Sequence, residues 1–161
     1  MISATSEHAL RAIASIAAVT NPTSPETREP ILARDLSSRA GVPLNYLSKI
    51  LGTLSRAGIL QASRGRGGGY RLVRSADQIP LIDVVELFDG VTARPDCFFG
   101  GGRKCSDDDP CTAHDAFKQV REQYIDFLES TTIADIAGPT YADGAPAGGL
   151  PPLIRQENAF S

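Results

Sequence analysis

Apolar positions recur at helical spacing along most of the chain, interrupted by one short alternating stretch. Leu10, Ile13, Ile16 and Ala17 form one face of a helix that Thr5 or Ser6 can cap and that runs to about Val19. Three prolines between Asn21 and Pro30 mark a loop. Two helices separated by a tight break follow. Ile31–Ala40 carries Leu32 and Leu36, and Gly41 can adopt the positive φ that ends a helix abruptly. Leu44–Ala57 lines up Leu44, Leu47, Ile50, Leu51 and Leu54 on one side, with Asn45, Tyr46, Ser48, Lys49 and Ser55 opposite. Ile59–Ser63 and Tyr70–Arg74 read as short strands joined by the turn Arg64-Gly-Arg-Gly-Gly-Gly69. A helix with Pro80 in its first turn carries Leu81, Val84, Val85 and Leu87-Phe88 at helical spacing before Gly90.

Val91–Pro110 has no period and is ordered only if something holds it. From Cys111 to about Ile136 a long helix is predicted, with Ala113, Phe117, Val120, Tyr124, Phe127 and Thr131 at alternating spacings of four and three. That seam is expected to face a partner. Beyond Gly138 the Gly/Pro/Ala-rich chain reads as a flexible tail. The fold class is therefore mainly α with a small β-wing. A winged helix-turn-helix domain spans 1–90, a cysteine-containing sensor loop 91–110, a dimerisation helix 111–137 and the tail 138–161.

Net charge is −3, which on its face disfavours nucleic acid. The distribution reverses that inference. From Arg34 to Arg74 there are eight basic residues and one acidic residue, Asp35, so this segment is +7 and the remainder −10. Helix, tight turn and helix place the second helix in a major groove, where base edges are distinguishable. Pro43, Asn45, Tyr46, Ser48 and Lys49 are the candidate reading residues; Arg56 and the wing residues Arg64 and Arg66 are the candidate phosphate or minor-groove contacts. The Gly run is not a phosphate-binding loop, because Tyr70 occupies the last Gly position and no helix follows. Two histidines and no usefully spaced nucleophile–base pair argue against an enzyme.

Three cysteines fall at Cys97-x7-Cys105-x5-Cys111, with His114 after a further two residues. An odd, clustered set suits metal or redox chemistry better than a disulfide framework. Three thiolates on one loop can wrap an iron–sulfur cluster, and His114, one helical turn after Cys111, can face the same point. The same Cys3His set suits tetrahedral zinc, and free thiols can sense oxidant directly. Asp107-Asp108-Asp109 reads as a solvated acidic turn in preference to a calcium site. No apolar run approaches the roughly 18 residues of a membrane span, and the N-terminus lacks a basic segment before an apolar core, so the expected compartment is the cytoplasm.

Ala40-Gly-Val-Pro-Leu-Asn-Tyr-Leu47, Leu54-Ser-Arg-Ala-Gly58 and Arg64-Gly-Arg-Gly-Gly-Gly-Tyr-Arg-Leu72 resemble the IscR/NsrR family of winged-helix regulators. Ile82-Asp-Val-Val85 and Thr132-Ile-Ala-Asp-Ile136 are also similar to that pattern, so the resemblance covers roughly residues 2 to 137. It implies a homodimer crossed through the long helix on a pseudo-palindromic double-stranded operator, and a [2Fe–2S] or [4Fe–4S] cluster on the three cysteines. The family's cysteines are more evenly and tightly spaced, so the seven-residue gap here leaves the cluster type open. The resemblance also offers Glu7 of helix 1, from the partner subunit, as fourth ligand in place of His114, with His8 beside it as a further option. The expected function is regulation of transcription in response to redox state, nitric oxide or iron and sulfur status. The alternative is a cluster-free or zinc-containing winged-helix repressor that responds to thiol oxidation or a small molecule.

Overall fold

The computed structural model describes residues 2–19, 29–65, 67–92 and 105–137. Helix α1 (Ala4–Val19) is capped by Ser3, not by Thr5 or Ser6 as expected: the Ser6 N–H donates to Ser3 Oγ at 3.2 Å, and the Ser3 N–H donates to Asp89 Oδ2 at 2.9 Å. Ala9, Ala12, Ile13, Ala14 and Ile16 are fully buried, so α1 runs through the core and touches nearly every other element.

Helix α2 (Ala33–Ala40) begins two residues later than the apolar pattern predicts. Ile31 is drawn into the sheet instead. It exchanges both backbone hydrogen bonds with Tyr70, at 2.9 Å each, on the edge of Tyr70 opposite the strand partner. Leu32 consequently lies half-exposed before the helix, and Leu36 alone of that pair is buried. Gly41, at φ 65°, closes α2 with its N–H on the Ser37 carbonyl and turns the chain into α3 (Leu44–Arg56). Leu47, Ile50, Leu51 and Leu54 seat α3 on the core.

The wing is an antiparallel pair, β1 (Leu60–Ser63) and β2 (Gly69–Leu72), in the register Leu60↔Leu72 and Ala62↔Tyr70. Gly69 is required: a Cβ there would lie 2.5 Å from the Ile31 carbonyl oxygen, and its φ is 150°. A 3-10 turn (Ala76–Gln78) leads to α4 (Leu81–Asp89), with Pro80 before the helix rather than within it.

The predicted long helix is two. Helix α5 (His114–Ser130) starts three residues after Cys111, with Ala113 at its cap, and α6 (Ile133–Ile136) follows a break. The break arises because Thr131 and Thr132 pair with the backbone ahead of α4: the Leu81 N–H donates to the Thr131 carbonyl and the Ile133 N–H to that of Ile79, both at 2.9 Å. Thr132 and Asp135 then form a reciprocal capping box. Thr131, the end of the expected seam, thus lies outside α5. Leu128 is the residue that buries α5, whereas Val120 and Phe127 of the seam are 64% and 51% exposed. Among the described residues no helix is long and apolar enough to cross a membrane.

The two glycines make different demands. Gly69→Ala should destabilise the fold by about 1–3 kcal/mol, through backbone strain and separation of Ile31 from Tyr70. Gly41→Ala, with open space at its Cβ position, should cost only the left-handed backbone term, about 1 kcal/mol. Thermal unfolding of the two variants measures the difference, and equal losses would remove the steric argument for Gly69.

Candidate functional site

The helix-turn-helix places its candidate contacts on one surface. Pro43, Asn45, Tyr46, Ser48, Lys49 and Arg56 are all exposed, because the leucine and isoleucine side of α3 faces the core. Arg64 is exposed at the entrance to the wing turn, and Arg66 lies outside the described residues. Among the described residues, Lys49, Arg56 and Arg64 form no ion pair with a carboxylate. Their charge therefore remains available to a polyanion. Two other cations of the basic segment are committed to structure: Arg71 Nε donates to Gln61 Oε1 across the wing at 2.9 Å, and Arg74 pairs with Asp83 at 2.7 Å. The Ser48 hydroxyl donates back to the Leu44 carbonyl at 2.8 Å, so only its acceptor capacity faces outward.

The second cluster of chemistry sits where the chain re-enters α5. Cys105 is buried, and its Sγ lies 3.0 Å from His114 Nδ1. The Cys111 N–H donates to the same sulfur at 3.3 Å. The other imidazole nitrogen, Nε2, meets Asp107 Oδ1 at 3.0 Å, and Lys118 Nζ lies 2.7 Å from that oxygen. The hydrogen bonds from Lys118 and then His114 hold the Asp107 carboxyl below its ordinary range, and Asp107 in turn raises the Lys118 ammonium. These residues, with Phe117 and Arg121, line an open cavity of about 290 Å³.

That arrangement has a direct chemical reading. A carboxylate on Nε2 fixes the imidazole tautomer with its proton there, leaving Nδ1 as a lone-pair donor directed toward Cys105. Cys105 and His114 therefore converge, with the Cys111 backbone on the same sulfur. Cys97 lies outside the described residues, and among those described no group of three or more His, Cys, Asp and Glu side chains is arranged to hold a metal ion. Glu7 and His8 do not line this cavity. Glu7 pairs with Arg11 one turn along α1, and His8 packs edge-on against Tyr46. Asp107 is the residue that sequence reasoning missed: it read as part of a solvated acidic turn, and its only signal was acidity seven residues before His114.

The Rrf2 family model, described as an iron-dependent transcriptional regulator, matches residues 2–139. The chain belongs to the Rrf2 family. Among curated relatives of this Rrf2 chain, a Rhodobacter capsulatus protein named for its likeness to rrf2 is 28% identical over 93% of the chain and 98% of its own length. The transcriptional regulator IscR of Erwinia tasmaniensis is 31% identical over 66% of the chain, and the match spans 64% of that relative's length. Protein aau3 of Rhizobium meliloti is 35% identical over 63% of the chain, a match that spans 66% of its length. In fold, the chain is similar to CymR, the global cysteine regulator of B. subtilis, at TM-score 0.68 and 20% identity, covering 85% of this chain and 95% of that one. It is also similar to T. potens IscR, at TM-score 0.62 and 21% identity, covering 84% of each. The Rrf2 chain is thus a DNA-binding transcriptional regulator of winged-helix fold.

The reading surface yields a quantitative expectation. Lys49→Ala and Arg64→Ala should each reduce the slope of log affinity against log salt for a random-sequence duplex by about one. Arg71→Ala, whose guanidinium is held by Gln61, should leave the slope unchanged. Fluorescence anisotropy across a salt series measures all three, and an unaltered slope in the first two would place the DNA elsewhere.

Proposed function

We propose that the chain works as a homodimer on a pseudo-palindromic operator and reports redox state, nitric oxide or iron and sulfur status through an iron–sulfur cluster held by Cys97, Cys105, Cys111 and His114. The observation that carries this reading is the His114 imidazole, with Nε2 tied to Asp107 and Nδ1 directed at the Cys105 sulfur. A carboxylate on one ring nitrogen is the usual support of a metal-ligating histidine, which is what favours this reading. The donor set of three sulfurs and one imidazole fits a cluster, and the iron it supplies would be open to oxidation and nitrosylation. His114 is favoured over Glu7 as the fourth ligand, because Glu7 is engaged by Arg11 and His114 already faces Cys105.

The chain's own residues connect this loop to the rest. Thr92, just before the cysteine segment, is held by Glu86 through its N–H and hydroxyl at 3.0 and 2.6 Å, and its carbonyl accepts from Arg121 of α5 at 2.9 Å. Cys105, at the other end, is held by His114 of the same helix. Both ends of the segment therefore bear on α5. Its exposed Val120 and Phe127 supply the surface for a second copy. A change at the thiolates would shift α5 and with it the separation of the two reading helices, which an operator with fixed half-site spacing registers as lost affinity.

Anaerobically purified full chain should carry iron and acid-labile sulfide with visible absorbance. Cys105→Ala should abolish both, and His114→Ala should leave a more labile centre. The DNA probe is a duplex that the wild-type chain selects from a random-sequence pool. Its binding should respond to oxygen or nitric oxide in the wild type and not when Cys97, Cys105 and Cys111 are all alanine. A colourless, iron-free protein whose binding survives that triple change would sink the cluster reading, and stoichiometric zinc in place of iron would assign the site to structure. Separately, Val120→Asp with Phe127→Asp should convert the dimer to monomer in sedimentation without unfolding the domain. An unchanged mass would move the dimer contact off α5.

A further inference from the structure

We propose that Tyr46 is a positioning residue: its phenol latches to Thr5 and its ring packs on His8, which fixes the DNA-reading turn of α3. It does not itself read DNA. The inference rests on α3 being the reading helix. Tyr46 is the third residue of α3, in the turn that enters the groove in this fold. Its hydroxyl oxygen lies 2.5 Å from Thr5 Oγ1, across 41 positions of sequence. Its ring stands at 85° to the His8 imidazole, with centroids 5.5 Å apart, an edge-on packing. Thr5 and His8 are three residues apart on α1 and so present one face to it.

Little else holds that turn. Pro43, the residue before α3, offers no side-chain cap, and Leu44 and Asn45 are exposed. The first buried residue of the helix is Leu47. Without the latch, the leading end of the turn that carries Pro43 and Asn45 is held by the buried Val42, whose carbonyl accepts from Ser37 Oγ, and by backbone hydrogen bonds, none of which reaches α1's Thr5–His8 face. With it, the turn is fastened to α1, whose central side chains are the most deeply buried in the fold. Either oxygen can donate in this contact; where the phenol is the donor, its single hydrogen is engaged with Thr5 and reaching a phosphate would first break the contact. His8 fits the same role: its Nδ1 is buried without a hydrogen-bond partner among the described residues, so the ring serves as a wall for the tyrosine.

Binding of the full chain to its selected duplex and to a scrambled duplex tests this in a double-mutant cycle. Tyr46→Phe and Thr5→Val should each weaken the selected duplex about five-fold, the effect of one net hydrogen bond. Binding of the scrambled duplex and the salt slope should stay at wild-type values, because no phosphate contact is removed, and the thermal midpoint should fall by no more than the few degrees that one net hydrogen bond accounts for. The double variant should bind no more weakly than the weaker single, and Thr5→Ser, which keeps the hydroxyl, should bind like the wild type. Thr5→Ala replaces Thr5→Val should the latter fold poorly. Additive losses would overturn the proposal. So would a silent Thr5→Val beside a Tyr46→Phe that weakens both duplexes and flattens the salt slope, because the phenol would then touch DNA. A wild-type chain that selects no duplex would instead refute α3 as a reading helix and take the latch with it.

Discussion

Burial of α1 is the constraint on which the other elements depend. Ala9, Ala12 and Ala14 present almost no side chain, so neighbouring helices can approach closely, while Ile13 and Ile16 fill the spaces between them. Burying an isoleucine of that kind contributes about 1.5–3 kcal/mol, and here it does so against several partners at once. Helices α2, α3, α4 and α6 and strand β2 all contact α1. Each is therefore placed with respect to one rod instead of to its neighbour in sequence. The start of that rod is itself tied to the end of α4, through the Ser3 N–H on Asp89.

A common reference of this kind makes the reading head rigid and leaves α5 less so. Helix α5 packs chiefly on α4, fully buries only Leu128, rests Tyr124 partly buried against the core, and is further joined to it through Thr131 on Leu81 and Arg121 on Thr92. A helix with one fully buried side chain is cheap to move. On the proposed reading, that is where a sensor is most useful, since the cysteine segment ends in Cys105 against the first residue of α5. The element that would carry the dimer contact is thus the one least committed to the core, and the recognition helix is among those most committed to it.

Much of this was legible in the chain. The periodicity of α3 and of α1, the Gly41 break and the Gly-rich wing turn are local signals, and local signals survive folding. The two misplaced helix boundaries share one cause: a distant strand or turn competed for the backbone. Ile31 looks helical by spacing but is captured by Tyr70, which is thirty-nine positions away and invisible to a helical window. Thr131 continues the heptad pattern, yet the backbone around Pro80 takes the Thr131 carbonyl and the Ile133 N–H and breaks the helix. Thr5 was read as a cap and turned out to hold Tyr46, because Ser3 caps first. At the candidate metal site, spacing singled out His114 through Cys111, one turn before it, whereas the sulfur that meets the imidazole is that of Cys105, because α5 begins only at His114. The Asp107 contact that fixes the imidazole does not, since a run of three aspartates gives no sign of which one faces inward.

The electrostatics explain why placement matters more to this chain than raw attraction. Of the cations in the basic segment, Arg71 and Arg74 are consumed by the wing and α4, and Lys49, Arg56 and Arg64 remain on the reading surface of the described residues. A handful of phosphate contacts per chain supports only weak binding to arbitrary sequence at physiological salt. The acidic remainder of a −3 protein adds repulsion at any other face. In the proposed homodimer, useful affinity would come from two heads engaging together, where the second contact gains from a high effective concentration only if the spacing matches. Half-sites one helical turn apart fix that spacing at about 34–36 Å. A homodimer of the proposed kind would need no large conformational change to let go of DNA: a modest tilt of α5 would remove the advantage of the second contact, and the charges of one head alone would hold it only weakly.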